Sequence, residues 1–307
     1  MAALTDGNPL GAASKGLGGG AGGGEGGGIG VGRGGGRNMV SLFGTRSFDT
    51  PGLVGRFYDL KQSATKKNLG TNNEVYLKNV ATFFAKGWDD NWLAKNFFTA
   101  PNRLSISQFL IPYMPAASAP ASFEVKVAPS KWIAHYKGSV KAPFTGKFRF
   151  VAVADDWIYV RWNKKNVVGH MHSRDATGYL PRSAQGNPYG TGKRHPDTLQ
   201  RSSAGIGGQA FAYGEWIDVK EGEYYPIEVA IGETPGGIFW AFLAYELKNE
   251  RGKLCLFRMS RGVLDLAAFE EQARKLGGTG GVAARIDYSG GKYIWEPKMN
   301  SGFQGKR

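Results

Sequence analysis

The sequence predicts an all-β-dominated fold: an antiparallel, jelly-roll-like β-sandwich with one or two short peripheral helices, carried behind a glycine-rich N-terminal tail. Three observations predict it. Aromatic residues are abundant, with 8 Trp, 13 Tyr and 18 Phe among 307 residues, and such side chains pack well on a pleated surface. Eight or more short apolar runs with two-residue periodicity are separated by turn signals. The strand–helix–strand alternation that builds a parallel sheet is missing, which leaves a sandwich or barrel.

Residues 16–36 are mostly glycine. Glycine loses the most conformational freedom on ordering, and this stretch has little to bury, so a flexible tether is expected over 1–48. Order is expected from Asp49–Gly52 onward. The run Gly52 to Leu60 reads as a first strand after Pro51-Gly52. Val75, Leu77, Val80, Phe83, Phe84 and Trp88 have helical spacing and stop at Gly87, so a helical insertion is expected near 74–98. Strands follow around Leu104–Ile111, Trp132–Lys137, Phe148–Ala154 and Ile158–Trp162, with a loop over Pro112–Pro129. In the strand at 158, Ile158, Val160 and Trp162 share one face. Asn163 to Asn166 turns the chain to Val167-Val168. Residues 170–215 are rich in Gly, Ser, Arg and Pro and read as a long loop. Strands resume at Trp216–Val219, Tyr225–Ile231, Ile238–Glu246 and Leu254–Met259. The composition of Ile238–Glu246 implies burial on both faces. The sandwich is expected over 49–260. A helix at Leu264–Leu276 and a weakly ordered extension complete 261–307.

Composition narrows the function classes. The net charge of +14 favours anionic partners, but it is spread along the chain without a block. Arg33 and Arg37 among the glycines suggest an RNA-binding segment, yet two arginines without a repeated aromatic are a thin basis for one. The single cysteine, Cys255, lies in an apolar run, so neither a disulfide scaffold nor a Cys–His nucleophile is expected. No Gly-x-Ser-x-Gly elbow or phosphate loop occurs, and the chain does not read as an enzyme. No run approaches the ~20 apolar residues of a membrane span. Met1–Leu10 has neither a basic start nor an apolar run, so no signal peptide is read there. The expectation is a cytoplasmic protein or a piece of a longer one.

Asp155-Asp156 is the sharpest chemical feature. Adjacent carboxylates at a strand end supply several hard oxygens in one place, which suits Ca²⁺. They equally suit a turn cap that accepts backbone N–H bonds. Trp157, beside them, is the aromatic expected to meet a ligand, whereas Trp216 and Trp240 read as core. His170-Met171-His172, with Asp175 nearby, has the look of a metal site but lacks an evident third strong ligand.

The order of segments resembles the protective-antigen lectin-like (PA-fourteen) family of β-sandwich domains over roughly residues 52–246. Gly52 to Asp59 is similar to the family's first strand. Gly138 to Pro143 with Gly146 to Phe150 resembles its central hairpin. Asp155-Asp156 before Ile158-Tyr159-Val160 resembles its paired-aspartate loop, and Val219 to Val229 its late strand. The nearest pattern is that of members from bacteria of the Verrucomicrobia and Planctomycetes type. Two positions depart from it: Trp157 replaces a small residue, and Asn163-Lys164 replaces an Asp-Gly turn. The resemblance implies that a cis peptide joins the aspartates, and that a calcium ion on them grips sugar hydroxyls. Glu233 is the candidate further ligand. The first expectation is a noncatalytic module of the cell envelope or exterior that binds a carbohydrate or envelope polymer. The second is a structural module with a protein partner or self-assembly. A basic nucleic-acid binder ranks third.

Overall fold

Strands whose side chains alternate between two faces must cover each apolar face with another layer. A computed structural model shows how this chain does so; it describes residues 40–46, 51–171, 211–261 and 286–298, with single positions at 267 and 271. The expected glycine tail, most of the loop 170–215 and the expected helix at 264–276 fall essentially outside these residues.

The short strands β1 (Val40–Ser41) and β2 (Gly44–Thr45) precede β3 (Leu53–Asp59). Helices α1 (Asn73–Ala85) and α2 (Asp90–Asn96) follow. Strands β4 (Phe98–Thr99), β5 (Leu104–Ile106) and β6 (Leu110–Pro115) lead to helix α3 (Ser118–Ser122). The central strands are β7 (Trp132–Lys141), β8 (Gly146–Asp155), β9 (Trp157–Trp162) and β10 (Lys165–Met171). Then come β11 (Ala212–Tyr213), β12 (Ile217–Val219), β13 (Tyr224–Glu233) and β14 (Ile238–Leu247). Strands β15 (Leu254–Leu256) and β16 (Ile286–Asp287) are the last.

These strands form two sheets. One has nine strands in the order β1-β2-β5-β3-β7-β13-β9-β10, with β4 also on β3. The other has seven, in the order β11-β8-β14-β15-β16, with β12 on β8 and β6 on β14. Among the described strands every pairing is antiparallel except β15 with β16. The β9–β10 hairpin closes on Asn163 and Lys164, whose φ values of 46° and 65° give the turn the twist that flanking strands need. As the alternation predicts, Ile158, Val160 and Trp162 face the space between the sheets, with Ile227, Val229 and Ile231 beside them. Strand β14 is buried on both faces almost throughout.

The outer face of the nine-stranded sheet is apolar as well. Tyr58, Ile133, Trp157, Tyr159 and Ala230 project there, and α1 covers them with Tyr76, Leu77, Val80, Phe83 and Phe84. The sequence pattern assigned Val75 to the apolar stripe, but Val75 is exposed and Tyr76 buried. Asn72 caps α1 by accepting the Val75 N–H at 2.8 Å, and this places residue 75 on the outside of the first turn. Helix α2 is pinned by charge. Asp90 meets His135 Nδ1 at 2.7 Å and pairs with Lys137. Glu228 Oε2 stands 3.2 Å from His135 Nε2. Burial opposes an imidazolium at His135, but the two carboxylates outweigh it and hold the pKa above the ordinary value.

Order extends beyond both expected boundaries. Leu42 and Phe43, placed in the tail by the sequence, belong to the central core. Residues 286–298 return to the sandwich, where weak order was expected. Trp295, fully buried, packs its ring on Phe148 at 4.6 Å and on Phe144, Phe257, Trp162 and Tyr245 within 5.9 Å. The Trp295 backbone N–H donates to the Arg258 carbonyl on one side, and the Lys141 backbone N–H donates to the Glu296 carbonyl on the other. The segment thus bridges the two sheets at one end. The loop expected at 112–129 also carries the end of β6 and helix α3.

A Trp295→Ala chain should lose about 3–5 kcal/mol of stability, the usual cost of emptying a buried aromatic site. Urea unfolding followed by far-UV circular dichroism measures it. A loss below about 1 kcal/mol would show that the C-terminal segment does not support the core.

Candidate functional site

The three carboxylates singled out by sequence lie at the end of the sandwich opposite Trp295. Asp155 closes β8 opposite Trp240, the third residue of β14. A cis peptide joins it to Asp156, as the family resemblance implies. Strand β9 then starts at Trp157, which pairs with Gly232 of β13. Glu233, the next residue, ends β13, and the turn 234–237 leads into β14. The topology therefore brings Asp155, Asp156 and Glu233 to one pole.

Asp155 is half-buried, while Asp156 and Glu233 are buried. Each buried carboxylate holds part of the turn. The Thr234 N–H donates to Asp156 Oδ2 at 2.6 Å, and the Gly236 N–H donates to Glu233 Oε1 at 2.8 Å. The second oxygen of Glu233, Oε2, is buried without a hydrogen-bond partner. Desolvation, and then the charge of Asp155, push Asp156 up to about 7 against the help of Thr234. Desolvation, and then the charge of Asp156, push Glu233 up to about 9. These groups hold protons in a range where an exposed carboxylate has lost them.

Two observations bear on whether this pole fits a hard cation. The donor chemistry fits: oxygen ligands, mutual repulsion that a cation would relieve, and a buried carboxylate oxygen left unbonded. The convergence does not: among the described residues no three His, Cys, Asp or Glu side chains gather into a metal-holding group. In this arrangement the pole is a proton-holding acidic cluster.

Trp157 requires a correction. It is fully buried beneath α1 and offers no face to a ligand. Its Nε1–H donates to the Tyr76 hydroxyl at 3.1 Å, which donates to the Trp132 carbonyl at 2.8 Å. The cause is its position: residue 157 points to the outer sheet face, and that face is roofed by a helix. The opposing residue must be glycine, because a Cβ on Gly232 would lie 2.2 Å from the Trp157 ring. Trp240 is core, as expected. Trp216 is half-buried, with the Arg149 guanidinium 4.4 Å above its ring. His170 is buried and its Nδ1 accepts the Ala154 N–H at 3.1 Å, which removes that nitrogen from metal binding. His172 and Asp175 lie outside the described residues.

Sequence reasoning missed Thr234 and Tyr76. Thr234 is recognisable only as the residue after Glu233. Tyr76 had no signal beyond its place in a helix.

No protein-family model and no curated protein matches the chain. Solved structures do resemble it in shape. An anti-sigma factor domain-containing protein from Clostridium clariflavum matches with a TM-score of 0.35 and 11% identity, over 66% of this chain and 43% of that one. The Epithelial Adhesin 6 A domain from Candida glabrata, in complex with Galb1-3GlcNAc, matches with 0.38 and 12%, over 66% and 82%. The PA14 sugar-binding domain from an RTX adhesin matches with 0.36 and 13%, over 68% and 95%. This chain thus spans less than half of the first of these proteins. Among the described residues no helix is long and apolar enough to cross a membrane.

The raised carboxyls fix the sign of a pH dependence. Folding binds protons that the unfolded chain has released above its ordinary values of 3.8 for Asp156 and 4.5 for Glu233. Stability contributed by this pole is therefore full below those values and is lost as pH rises through about 7 and about 9. Glu233→Gln should flatten that decline and melt higher than the parent chain at pH 9, by a few degrees, on the order of 1 kcal/mol. Melting curves from pH 4 to 9 test it; parallel declines for the two chains would show that Glu233 is ionised in the fold.

Proposed function

We propose that this chain is a noncatalytic binding module that takes a carbohydrate at the Asp155–Asp156 pole and works at the cell envelope or exterior. The observation that supports the reading is the placement of Asp155, Asp156 and Glu233 at one sandwich end, with Glu233 Oε2 buried and unbonded. Carboxylates accept hydrogen bonds from sugar hydroxyls, and a half-buried Asp155 is placed to do so. The motif resemblance of residues 52–246 supports the same class.

Calcium dependence is the finer part of this reading and rests on charge chemistry alone. A cation at the pole would replace the protons on Asp156 and Glu233. Its affinity would then rise with pH as those groups ionise, through about 7 and about 9.

A second reading has its own observation. Asp156 and Glu233 each accept a backbone N–H of the turn 234–237, and Trp157 is committed to the helix interface. A pole of that kind also serves a structural module whose partner is a protein or a second copy.

A glycan array probed with the full chain, with and without Ca²⁺, separates them. The expected outcome is binding to a defined glycan that Asp155→Asn weakens at least tenfold while circular dichroism stays unchanged. With saturating Ca²⁺ the melting temperature should rise by roughly 5 °C, because a ligand of the native state alone stabilises it by mass action. Glycan binding without a Ca²⁺ effect would remove only the calcium part. No binding under either condition would leave the structural module.

A further inference from the structure

The opposite end of the sandwich carries a cleft of about 430 Å³, within the ~300–1,000 Å³ range of small-molecule sites. It opens where β8 begins and β14 ends. Strand β8 runs ten residues from Gly146 to Asp155, so roughly 30 Å separates the cleft from the aspartates. The two places cannot share one small ligand.

The cleft has an apolar wall and a basic rim. Phe144, Leu247 and Tyr293 form the wall. Phe144 and Leu247 are buried, whereas Tyr293 is half-exposed, and the Phe144 and Tyr293 rings meet at 4.8 Å with a 45° tilt. Trp295 backs Phe144 at 5.5 Å, so this wall rests on the core. Lys147, Lys248 and Asn249 line the rim, all exposed. Lys292 adds a third ammonium, 5.0 Å from the Tyr293 ring centre. Among the described residues no carboxylate lines the cleft. Its rim residue Lys147 pairs with Asp218 at 2.7 Å. That ion pair is exposed, and such pairs contribute only ~0–1 kcal/mol, so an incoming anion can replace Asp218.

We propose that this cleft is a second ligand site, independent of the Asp155–Asp156 pole, that takes an acidic saccharide of the hexuronate class. The C–H face of the sugar ring lies against Tyr293, the part-exposed ring of the wall that Phe144 backs, and its carboxylate meets Lys248 and Lys147. Asn249 supplies an amide that both donates to and accepts from hydroxyls. A neutral sugar satisfies the wall but leaves the ammonium groups without an anion. Electrostatic complementarity, not wall area, makes the selection.

Calorimetric titration of the full chain at low salt, with three probes, tests the proposal. The probes are digalacturonate, a neutral disaccharide of galactose and adenosine monophosphate. Digalacturonate should bind with a Kd near or below ~1 mM and at least tenfold more tightly than the neutral disaccharide. Lys248→Glu, a surface change, should weaken it at least tenfold. Amide NMR shifts should appear at Thr145–Lys147 and Asn249. Equal affinity for the neutral sugar, no binding of digalacturonate, or indifference to Lys248→Glu overturns the proposal. Binding of adenosine monophosphate in preference to digalacturonate overturns the saccharide assignment. Shifts confined to residues 155–157 and 232–236 assign the ligand to the other pole.

Discussion

The nine-stranded sheet is apolar on both faces, and the rest of the structure follows from the need to cover both. Its inner face meets the seven-stranded sheet in the usual way of a sandwich. Its outer face carries Tyr58, Ile133, Trp157 and Tyr159, too much aromatic surface to leave in water at about 25 cal/mol per Å². The insertion between β3 and β4 meets that need. Helix α1 lays Tyr76, Val80, Phe83 and Phe84 over the sheet, and α2 adds Asp90 to the charged group of His135, Lys137 and Glu228. The helices are short, and their stability comes from this face more than from their own propensity.

The roof also decides what the acidic pole can be. Trp157 is drawn inward by Tyr76, and the backbone on either side of it is fixed: Asp156 before it, Gly232 opposite. Asp156 and Glu233 then sit at the roof's edge, where water is scarce. Taking a carboxylate from water is costly unless it is paired or protonated, and here both buried groups rise in pKa, the one further raised by the other. Two backbone N–H groups of one turn offset part of that cost. The same desolvation that would sharpen recognition of a ligand holds protons on the cluster in its absence. The protonation of the two buried carboxyls accordingly changes as pH rises through about 7 and about 9.

What the sequence made legible was what period two and turn chemistry control. The inward set Ile158, Val160 and Trp162, the doubly buried Ile238–Glu246 and the Asn163-Lys164 turn all follow from local rules. So does the neighbourhood of Asp155, Asp156 and Glu233, once β9 and β13 are adjacent. The misses share one cause: contacts made across long sequence separations. Trp157 lies on the correct face for its parity, yet only the arrival of a helix some eighty residues earlier in the chain turns that face into an interior. Val75 and Tyr76 exchange roles because a single cap at Asn72 sets the rotation of α1. Trp295 stands in a glycine-rich stretch with no periodicity around it, and nothing local announces that it fills a core.

That last residue joins the two ends of the molecule in one argument. A sandwich has two open ends, and each exposes the edge of its core. At one end the turn 234–237, tied down by Asp156 and Glu233, does the closing. At the other the returning segment 286–298 does it, reaching from Arg258 to Lys141 and Ser139 with backbone hydrogen bonds. The first closure gathers carboxyl groups, and its two anchors, Asp156 and Glu233, hold protons up to about 7 and about 9. The second gathers positive charge because the turns it meets carry Lys147 and Lys248, and the segment itself brings Lys292. The core between them is continuous and rich in aromatic side chains. A chain closed in this way has a carboxyl-bearing end and an ammonium-bearing end, each built from a different segment of the sequence.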